Sequence, residues 1–326
     1  MASKRNPLGS DVALFRNRPC RALQDVASLP KYRDATAIPY RRSSDRTTAQ
    51  GFPANDGIQK DHTSRRSDFS TMDLSKRTIE SLTSVLFRLR NLESLDLLLN
   101  ITVDFTDTLD HAHFKNLSAF RYTVQFDNHP SLSSFLNRHP TITHLTLHPS
   151  FDEPRQLALD PIHLPHLAFY DGPSDFVRFL DKISTSAVSL VYLTFFPDHD
   201  GDVDRTLKQL APMTALHTLA AFTTGNDIPE SALLESAARH IPWIKFAMLQ
   251  NVRDNPAPIS QAAARSIATS LRKLPSLRVL CLRVEGVEHK TVALWGQASK
   301  SLFKVTLHAT SWMRKRGQWA SEPQPA

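Results

Sequence analysis

The sequence predicts an α/β solenoid, with a curved parallel sheet on the inside and helices on the outside. Three observations support this prediction. A short pattern of aliphatic residues recurs about every 25 residues, segments with helical spacing separate its copies, and prolines precede several copies. Repeats at a fixed period of roughly 20 to 50 residues are typical of solenoids, in which each unit contacts only its neighbours.

The repeated pattern is an aliphatic residue, two others, an aliphatic residue, one other and a third aliphatic residue. Its clearest copy begins at Leu92 and continues through Leu95 and Leu97. Further copies begin at Leu117, Ile142, Leu167, Leu190, Leu216, Ile244, Leu277 and Leu302. The spacings are 25, 25, 25, 23, 26, 28, 33 and 25 residues, and an irregular earlier copy spans Phe69–Leu74. The pattern therefore predicts nine or ten repeats of about 25 residues.

Helices are expected between the strands, because apolar residues there recur on one helical face. These residues are Ile79, Leu82, Leu86 and Leu89, then Phe176, Phe179, Leu180 and Ile183, then Leu207 with Leu210, Leu233 with Ala237, and Ile267, Leu271 and Leu274. Pro229 and Ser260 are suited to the start of a helix. Four prolines that cannot continue a helix stand two residues before a copy of the pattern, at Pro140, Pro165, Pro242 and Pro275.

The positive charge is concentrated at the N-terminus. The chain has 326 residues and a formal net charge of +7, and residues 1–66 contain 13 Lys and Arg against 6 Asp and no Glu. The rest of the chain is balanced. A Ser-, Thr- and Arg-rich segment without apolar periodicity is typical of a disordered tail. We therefore expect a disordered basic tail at 1–66, a repeat domain at 67–311, and a C-terminal cap and tail at 312–326.

Cysteine usage and hydropathy predict an intracellular protein, of the cytoplasm or the nucleus. Only Cys20 and Cys281 are present, which is too few for a disulfide framework. No signal-peptide pattern opens the chain, and no apolar stretch reaches the roughly 18 residues that cross a bilayer. We expect no membrane association.

The repeats resemble leucine-rich repeats. Residues 92–100 match the family pattern L-x-x-L-x-L-x-x-N in full, and Asn100 stands where the family uses a side-chain amide to bond the turn backbone. Later copies mostly keep apolar residues at these positions, with Gly172 as an exception, and replace the asparagine. Leu-Pro entries at 164–167 and 274–277, together with a Trp-containing basic end at 312–319, resemble divergent F-box-associated leucine-rich-repeat proteins of mushroom-forming fungi.

This resemblance implies a non-catalytic protein-interaction module that acts as an F-box-like substrate receptor of a ubiquitin ligase. An F-box would place an apolar helical unit of about 45 residues before the repeats, and no such unit is recognisable, so binding of a Skp1-type adaptor stays open. The alternative function is binding of nucleic acid or an acidic partner through the basic tail.

The candidate binding residues follow from the alternation of side chains along a strand. If the three aliphatic residues of each copy are buried, the third, fifth and seventh positions lie on the concave face. In four adjacent copies these positions hold Phe169, Tyr192, Phe196, Phe222, Phe246 and Met248. Aromatic residues and Met dominate interface energetics, so we expect a partner protein to bind there. Cover by another segment and a register shifted by one residue are the alternatives.

No pattern typical of an enzyme, a cofactor site or a metal site is present, and we expect no catalytic residues, no cofactor and no metal. The acidic segment 198–204 resembles a calcium loop, but Val203 and Gln209 occupy its sixth and twelfth places. His139, His144 and His148 lack Cys or carboxylate partners at ligand spacing and are expected to be surface residues. Residues 312–319 are expected to cap the open end of the array, with an import signal or RNA contact as alternatives.

Overall fold

The computed structural model describes residues 81, 83–97, 106–124, 129–149, 159–196, 203–224, 228–252, 257–308 and 310–323. The predicted tail at 1–66, the irregular copy at Phe69–Leu74, Asn100 and most of the acidic segment 198–204 lie outside these residues.

The described residues form an α/β structure with one mostly parallel sheet of eleven strands. The nine parallel strands are β1 (Ser94–Leu97), β2 (Ala119–Val124), β3 (His144–Pro149), β4 (Phe169–Pro173), β5 (Leu190–Phe195), β6 (Thr218–Thr224), β7 (Phe246–Val252), β9 (Val279–Leu282) and β11 (Lys304–Thr306). Two antiparallel strands, β12 (Thr310–Lys315) and β13 (Gln318–Pro323), complete it. The short strands β8 (Ala257–Pro258) and β10 (Val284–Glu285) pair separately. Spatial order follows chain order, and the sheet does not close.

Helices alternate with these strands. They include α1 (Thr106–His111), α2 (His129–Arg138), α3 (Lys182–Ala187), α4 (Val203–Gln209), α5 (Glu230–His240), α6 (Gln261–Leu271) and α7 (His289–Ala298), with a 3₁₀ helix at Ser174–Phe179. The predicted starts of α5 and α6 are confirmed: Pro229 precedes α5, and the hydroxyl of Ser260 accepts a hydrogen bond from the Ala263 N–H at 3.1 Å. Pro140, Pro242 and Pro275 lie in turns between a helix and the next strand, and Pro165 lies in the turn between the bridge at Ile162 and β4.

One predicted helix is divided. The spacing of Phe176, Phe179, Leu180 and Ile183 predicts a single amphipathic helix, but the backbone leaves the helix at Leu180, which is extended and forms a bridge with Ile162. A new helix, α3, then starts after Asp181, whose carboxylate accepts the Ser184 N–H at 2.7 Å. Ile183 is consequently 56% exposed instead of buried.

A continuous set of backbone hydrogen bonds aligns the repeats. The N–H that follows the first aliphatic of each copy donates to the equivalent carbonyl of the previous copy, linking Glu93, Ser118, Thr143, Ala168, Ser189, His217, Lys245, Arg278 and Phe303 in order. This alignment corrects one predicted copy. Its first aliphatic is Val188, which is fully buried, and not Leu190, which is half-buried. The spacings 23 and 26 therefore become 21 and 28 residues.

In the part of the chain that the structure describes, one hydrophobic core lies between the helices and one face of the sheet. Aliphatic positions of the copies, such as Leu145 and Leu219, cluster there with helix residues such as Leu233 and Ile267. At Gly172 the copy lacks an aliphatic side chain because Tyr170 fills the space: a Cβ on Gly172 would lie 2.6 Å from the Tyr170 hydroxyl oxygen. Most aliphatic positions of the repeats are thus buried, as the pattern predicts.

The C-terminal residues form a hairpin at the edge of the sheet. Strand β12 pairs with β11, and β13 with β12, through a two-residue turn at Arg316 and Gly317, which have φ of 52° and 86°. Positive φ at both positions is typical of a type I′ turn. The indole of Trp319 is buried beside Gly296 of α7.

No helix among the described residues has the length and apolar character needed to cross a membrane.

Candidate functional site

One face of the sheet carries the partly exposed side chains of the repeats. Along β5, half-buried and buried residues alternate strictly, and β2 and β9 show the same alternation. Because the buried residues pack with the helices, the alternate residues point to the opposite face. A register shifted by one residue is therefore excluded.

Strand register arranges the side chains of this face in rows. The first row contains Ser94, Ala119, His144, Phe169, Leu190, Thr218, Phe246, Val279 and Lys304. The second contains Asp96, Arg121, Thr146, Asp171, Tyr192, Ala220, Met248, Cys281 and Thr306. The third contains Thr194, Phe222 and Gln250. We call the part from β3 to β7 that carries His144, Phe169, Asp171, Tyr192, Phe222, Phe246 and Met248 the aromatic face.

Four rings of the aromatic face contact one another in sequence across strands β3 to β6. The ring centroids of His144 and Phe169 are 5.9 Å apart, those of Phe169 and Tyr192 are 5.5 Å apart, and those of Tyr192 and Phe222 are 6.4 Å apart. The last two pairs are nearly perpendicular, at 80° and 77°. Edge-to-face pairs of this kind are favourable, so the rings form a pre-arranged surface.

The other predicted binding residues lie at the margins of this chain of rings. Phe246 shares the first row with Phe169, but it is only 8% exposed and contributes little accessible surface. Met248 lies in the second row between Ala220 and Cys281 and is half-buried. Phe196 directly follows β5 and is half-buried. The structure thus brings Phe169, Tyr192 and Phe222 into one contiguous patch and leaves the other three around it.

The structure adds three residues that the sequence reasoning did not assign to the site. Leu190 lies between Phe169 and Thr218 in the first row, where the predicted register made it core. His144 extends the chain of rings, and Asp171 lies beside Tyr192 in the second row. Both appear at the third or fifth position of their copies, so position alone could have identified them.

Asp171 is the acidic group within the aromatic face. Burial raises the pKa of its carboxyl to about 6, and the nearby Arg121 acts in the opposite direction. Within the described residues this carboxyl has no hydrogen bond and no ion pair. Burial also lowers the pKa of His144, so that the imidazole beside Phe169 tends to be neutral.

Charged residues flank the aromatic face along the rows. On the β1 and β2 side, Arg121 donates a hydrogen bond from Nη1 to Asp96 Oδ2 at 3.0 Å, and both side chains are exposed. On the β9 and β11 side lie Arg283 and Lys304, which are half-buried. The aromatic face is therefore a mainly apolar strip that contains Asp171 and has charged residues at both ends, and an apolar centre with a polar rim is typical of a protein-binding surface.

Cys281 borders the aromatic face and is a poor candidate nucleophile. Burial raises the pKa of its thiol to about 11, and a hydrogen bond with Thr306 only partly offsets this effect. Since the thiolate is the reactive species, the thiol is held in its inert form near neutral pH.

His139 is a buried structural residue, which corrects the expectation that it lies at the surface. Its Nδ1 lies 2.7 Å from the Phe135 carbonyl oxygen, and its Nε2 accepts the Phe114 N–H at 2.9 Å. Burial lowers the pKa of the imidazole to about 4. His144 and His148 lie four residues apart on the same face of β3 and are half-buried.

The described end of the acidic segment is an ion-pair site between helices. Asp204 of α4 accepts hydrogen bonds from the Ser236 hydroxyl at 2.9 Å and the Arg239 guanidinium at 2.6 Å, both on α5. These contacts, with His240, lower the pKa of the Asp204 carboxyl. Among the described residues no group of three or more His, Cys, Asp or Glu side chains is placed to hold a metal ion.

No protein-family model matches the chain, and neither does any curated protein. The chemistry of the aromatic face therefore carries the functional proposal.

Proposed function

We propose that the protein is a non-catalytic interaction module that binds a partner protein on its aromatic face. The observation that carries the proposal is the chain of contacting rings from His144 to Phe222, which stays partly exposed on the sheet face opposite the core. A contiguous exposed apolar patch costs solvation free energy unless a partner covers it. Rings already held in place lose little conformational entropy on binding.

We further propose that the fold is a leucine-rich-repeat solenoid of nine or ten units and that the aromatic face belongs to its concave side. The backbone hydrogen bonds between equivalent residues of successive copies support this proposal. Burial of the aliphatic positions supports it as well. In such an array a partner can contact several strands at once, which suits a row of anchors on adjacent strands.

The specific version of the proposal is an intracellular substrate receptor of the F-box-associated type. Its test is affinity isolation of the full chain from cells that express it, read by mass spectrometry. Enrichment of Skp1 and cullin subunits would support this version, and their absence together with other specific partners would restrict the proposal to protein binding alone.

The aromatic face itself is tested with paired variants in the same isolation. Phe222→Glu is expected to remove partner proteins that the wild type retains, because a carboxylate at the centre of the patch opposes burial. Phe303→Glu is the matched control, since Phe303 is a large hydrophobic residue that is 41% exposed and lies outside the aromatic face. Equal loss from both variants, or no loss from either, would contradict the proposal.

Binding through the basic tail remains the second candidate, supported by the excess charge in residues 1–66. Replacing the pairs at 4–5, 41–42 and 65–66 with Gln should weaken nucleic-acid binding and reduce its salt dependence. Partner binding through the aromatic face should survive these replacements.

A further inference from the structure

We propose that the aromatic face recognises a cationic side chain, lysine or arginine, of its partner, with Asp171 as the counter-charge and the rings of Phe169, Tyr192 and Phe222 around it. This inference deepens the proposed function and rests on it, because it names the chemistry of the partner group that enters the face.

The position of Asp171 places a carboxyl group within the patch of rings. Asp171 is directly opposite Tyr192 on β5 and Thr146 on β3. Phe169 stands two residues earlier on the same strand and therefore projects from the same face. A side chain that enters beside Tyr192 meets the carboxyl group of Asp171 and the ring of Phe169 together.

The carboxyl group of Asp171 is available to a partner. Within the described residues it has no hydrogen bond or ion pair, while Arg121, the cation that acts on its pKa, is ion-paired with Asp96 at 3.0 Å. Arg121 is two strands away, at Cα positions separated by roughly 10 Å. A largely buried carboxylate without a partner is unfavourable, so a cation that reaches it gains both the ion pair and relief of that cost.

The rings favour a cation over a neutral apolar group. Phe169 and Tyr192 are 5.5 Å apart at 80°, and Tyr192 and Phe222 are 6.4 Å apart at 77°. An aromatic ring attracts a Lys or Arg cation that lies over its face within about 6 Å of its centroid, whereas a neutral alkyl group gains no such electrostatic attraction. An anionic partner group would instead be repelled by Asp171.

The test uses three small probes and the full chain, followed by NMR of its aromatic side chains. The probes are the N-acetyl methylamides of lysine, arginine and norleucine, of which norleucine keeps the aliphatic chain and lacks the charge. We expect the lysine and arginine compounds to bind at least about fivefold tighter than the norleucine compound and to shift the signals of Phe169, Tyr192 and Phe222.

Asp171→Asn is expected to reduce the affinity for the two cationic probes at least about fivefold and to leave norleucine binding unchanged. Asp110→Asn, which changes an exposed carboxyl group on α1, is the matched control and should have no effect.

The cationic probes should also bind more weakly at about pH 5 than at about pH 7, because protonation of Asp171 competes with the cation. The charged or titratable groups facing Asp171 are Arg121, His144, His148 and Tyr192. The two histidines can also gain charge in acid, so the pH effect should be smaller in Asp171→Asn than in the wild type, and the difference between the two proteins measures the part due to Asp171.

Equal affinity for the lysine and norleucine probes, no effect of Asp171→Asn, or no saturable binding of either cation would overturn the inference. The proposed function fails separately, when Phe222→Glu retains every partner of the wild type. If the norleucine probe binds and the cationic probes do not, the proposal of a partner-binding aromatic face stands, and only the inference that it recognises a cation is wrong.

Discussion

The indole of Trp319 occupies the space into which a side chain at Gly296 would project. A Cβ built on Gly296 would lie 2.3 Å from Trp319 Nε1 and 2.8 Å from its Cε2. Gly296 lies within α7, where glycine is otherwise less favourable than alanine by about 1 kcal/mol. The glycine is therefore explained by the packing of the C-terminal hairpin against the last helix.

Gly296→Ala is expected to lower the free energy of unfolding by about 2 kcal/mol, because the rigid indole must move. In a Trp319→Ala background the same change should be neutral or stabilising, because the obstruction is gone and alanine favours the helix. Urea denaturation of the two single variants and the double variant measures this coupling. Additive effects would show that the indole does not occupy this space.

A second prediction follows from the finding that Val188, and not Leu190, is the first aliphatic residue of its copy. Val188→Ala should destabilise the protein by about 2 kcal/mol because the side chain is fully buried, whereas Leu190→Ala should cost less than about 1 kcal/mol because Leu190 is half-buried on the aromatic face. Thermal and urea unfolding compare the two. A larger loss of stability from Leu190→Ala than from Val188→Ala would indicate that Leu190 is the buried first aliphatic residue of this copy, as the sequence predicts.

His139 is expected to make the protein less stable in mild acid. Its pKa is lowered from 6.5 to about 4 in the folded state, so between these values the unfolded chain binds more protons than the folded one. The contribution of neutral His139 to the free energy of unfolding is therefore fully present above about pH 6.5 and is lost as the pH falls towards about 4. From about pH 7 to about pH 5 the loss due to this residue is about 2 kcal/mol.

The check is urea unfolding of the wild type and His139→Gln at both pH values. The glutamine oxygen can still accept the Phe114 N–H, so the variant should fold, and its stability should fall less between the two pH values. Parallel pH dependence in both proteins would argue against a neutral, buried His139.

Cys281 is expected to react slowly with alkylating reagents. With its pKa raised to about 11, the thiolate fraction near neutral pH is about a hundredfold lower than for an ordinary cysteine. The measurement uses Cys20→Ser, so that only Cys281 reports, and follows iodoacetamide labelling in the native and the urea-unfolded chain. Equal rates in the two states would show that the thiol is not protected.

Much of the candidate site could be predicted because successive side chains of a strand point to opposite faces of the sheet. Phe169, Tyr192 and Phe222 alternate with the buried residues of their strands, and this alternation places them on the same face even where the assumed spacing of the copies is wrong. The copy assigned to Leu190 is displaced by two residues from the observed register, so Tyr192 still reaches the predicted face. If the assumed register had differed from the observed one by an odd number of residues, the residues predicted for this face would lie in the core instead.

The break at Leu180 could not be predicted from helical spacing. Phe176 and Phe179 fit one helical face, and nothing local distinguishes a continued helix from the extended residue observed. The pairing of Leu180 with Ile162, eighteen residues earlier, supplies the backbone partner that ends the 3₁₀ helix. Such a contact depends on chain segments that are distant in sequence.

The amino-acid sequence by itself determined that strands and helices alternate in this protein, and which side chains of each strand face away from the core, because both depend on local periodicity and on burial of aliphatic residues. The tertiary structure alone decided which strands stand beside one another at which register. Those non-local hydrogen bonds bring Phe169 into contact with Tyr192 and place Asp171 beside them, and among the described residues nothing hydrogen-bonds or ion-pairs with its carboxyl group.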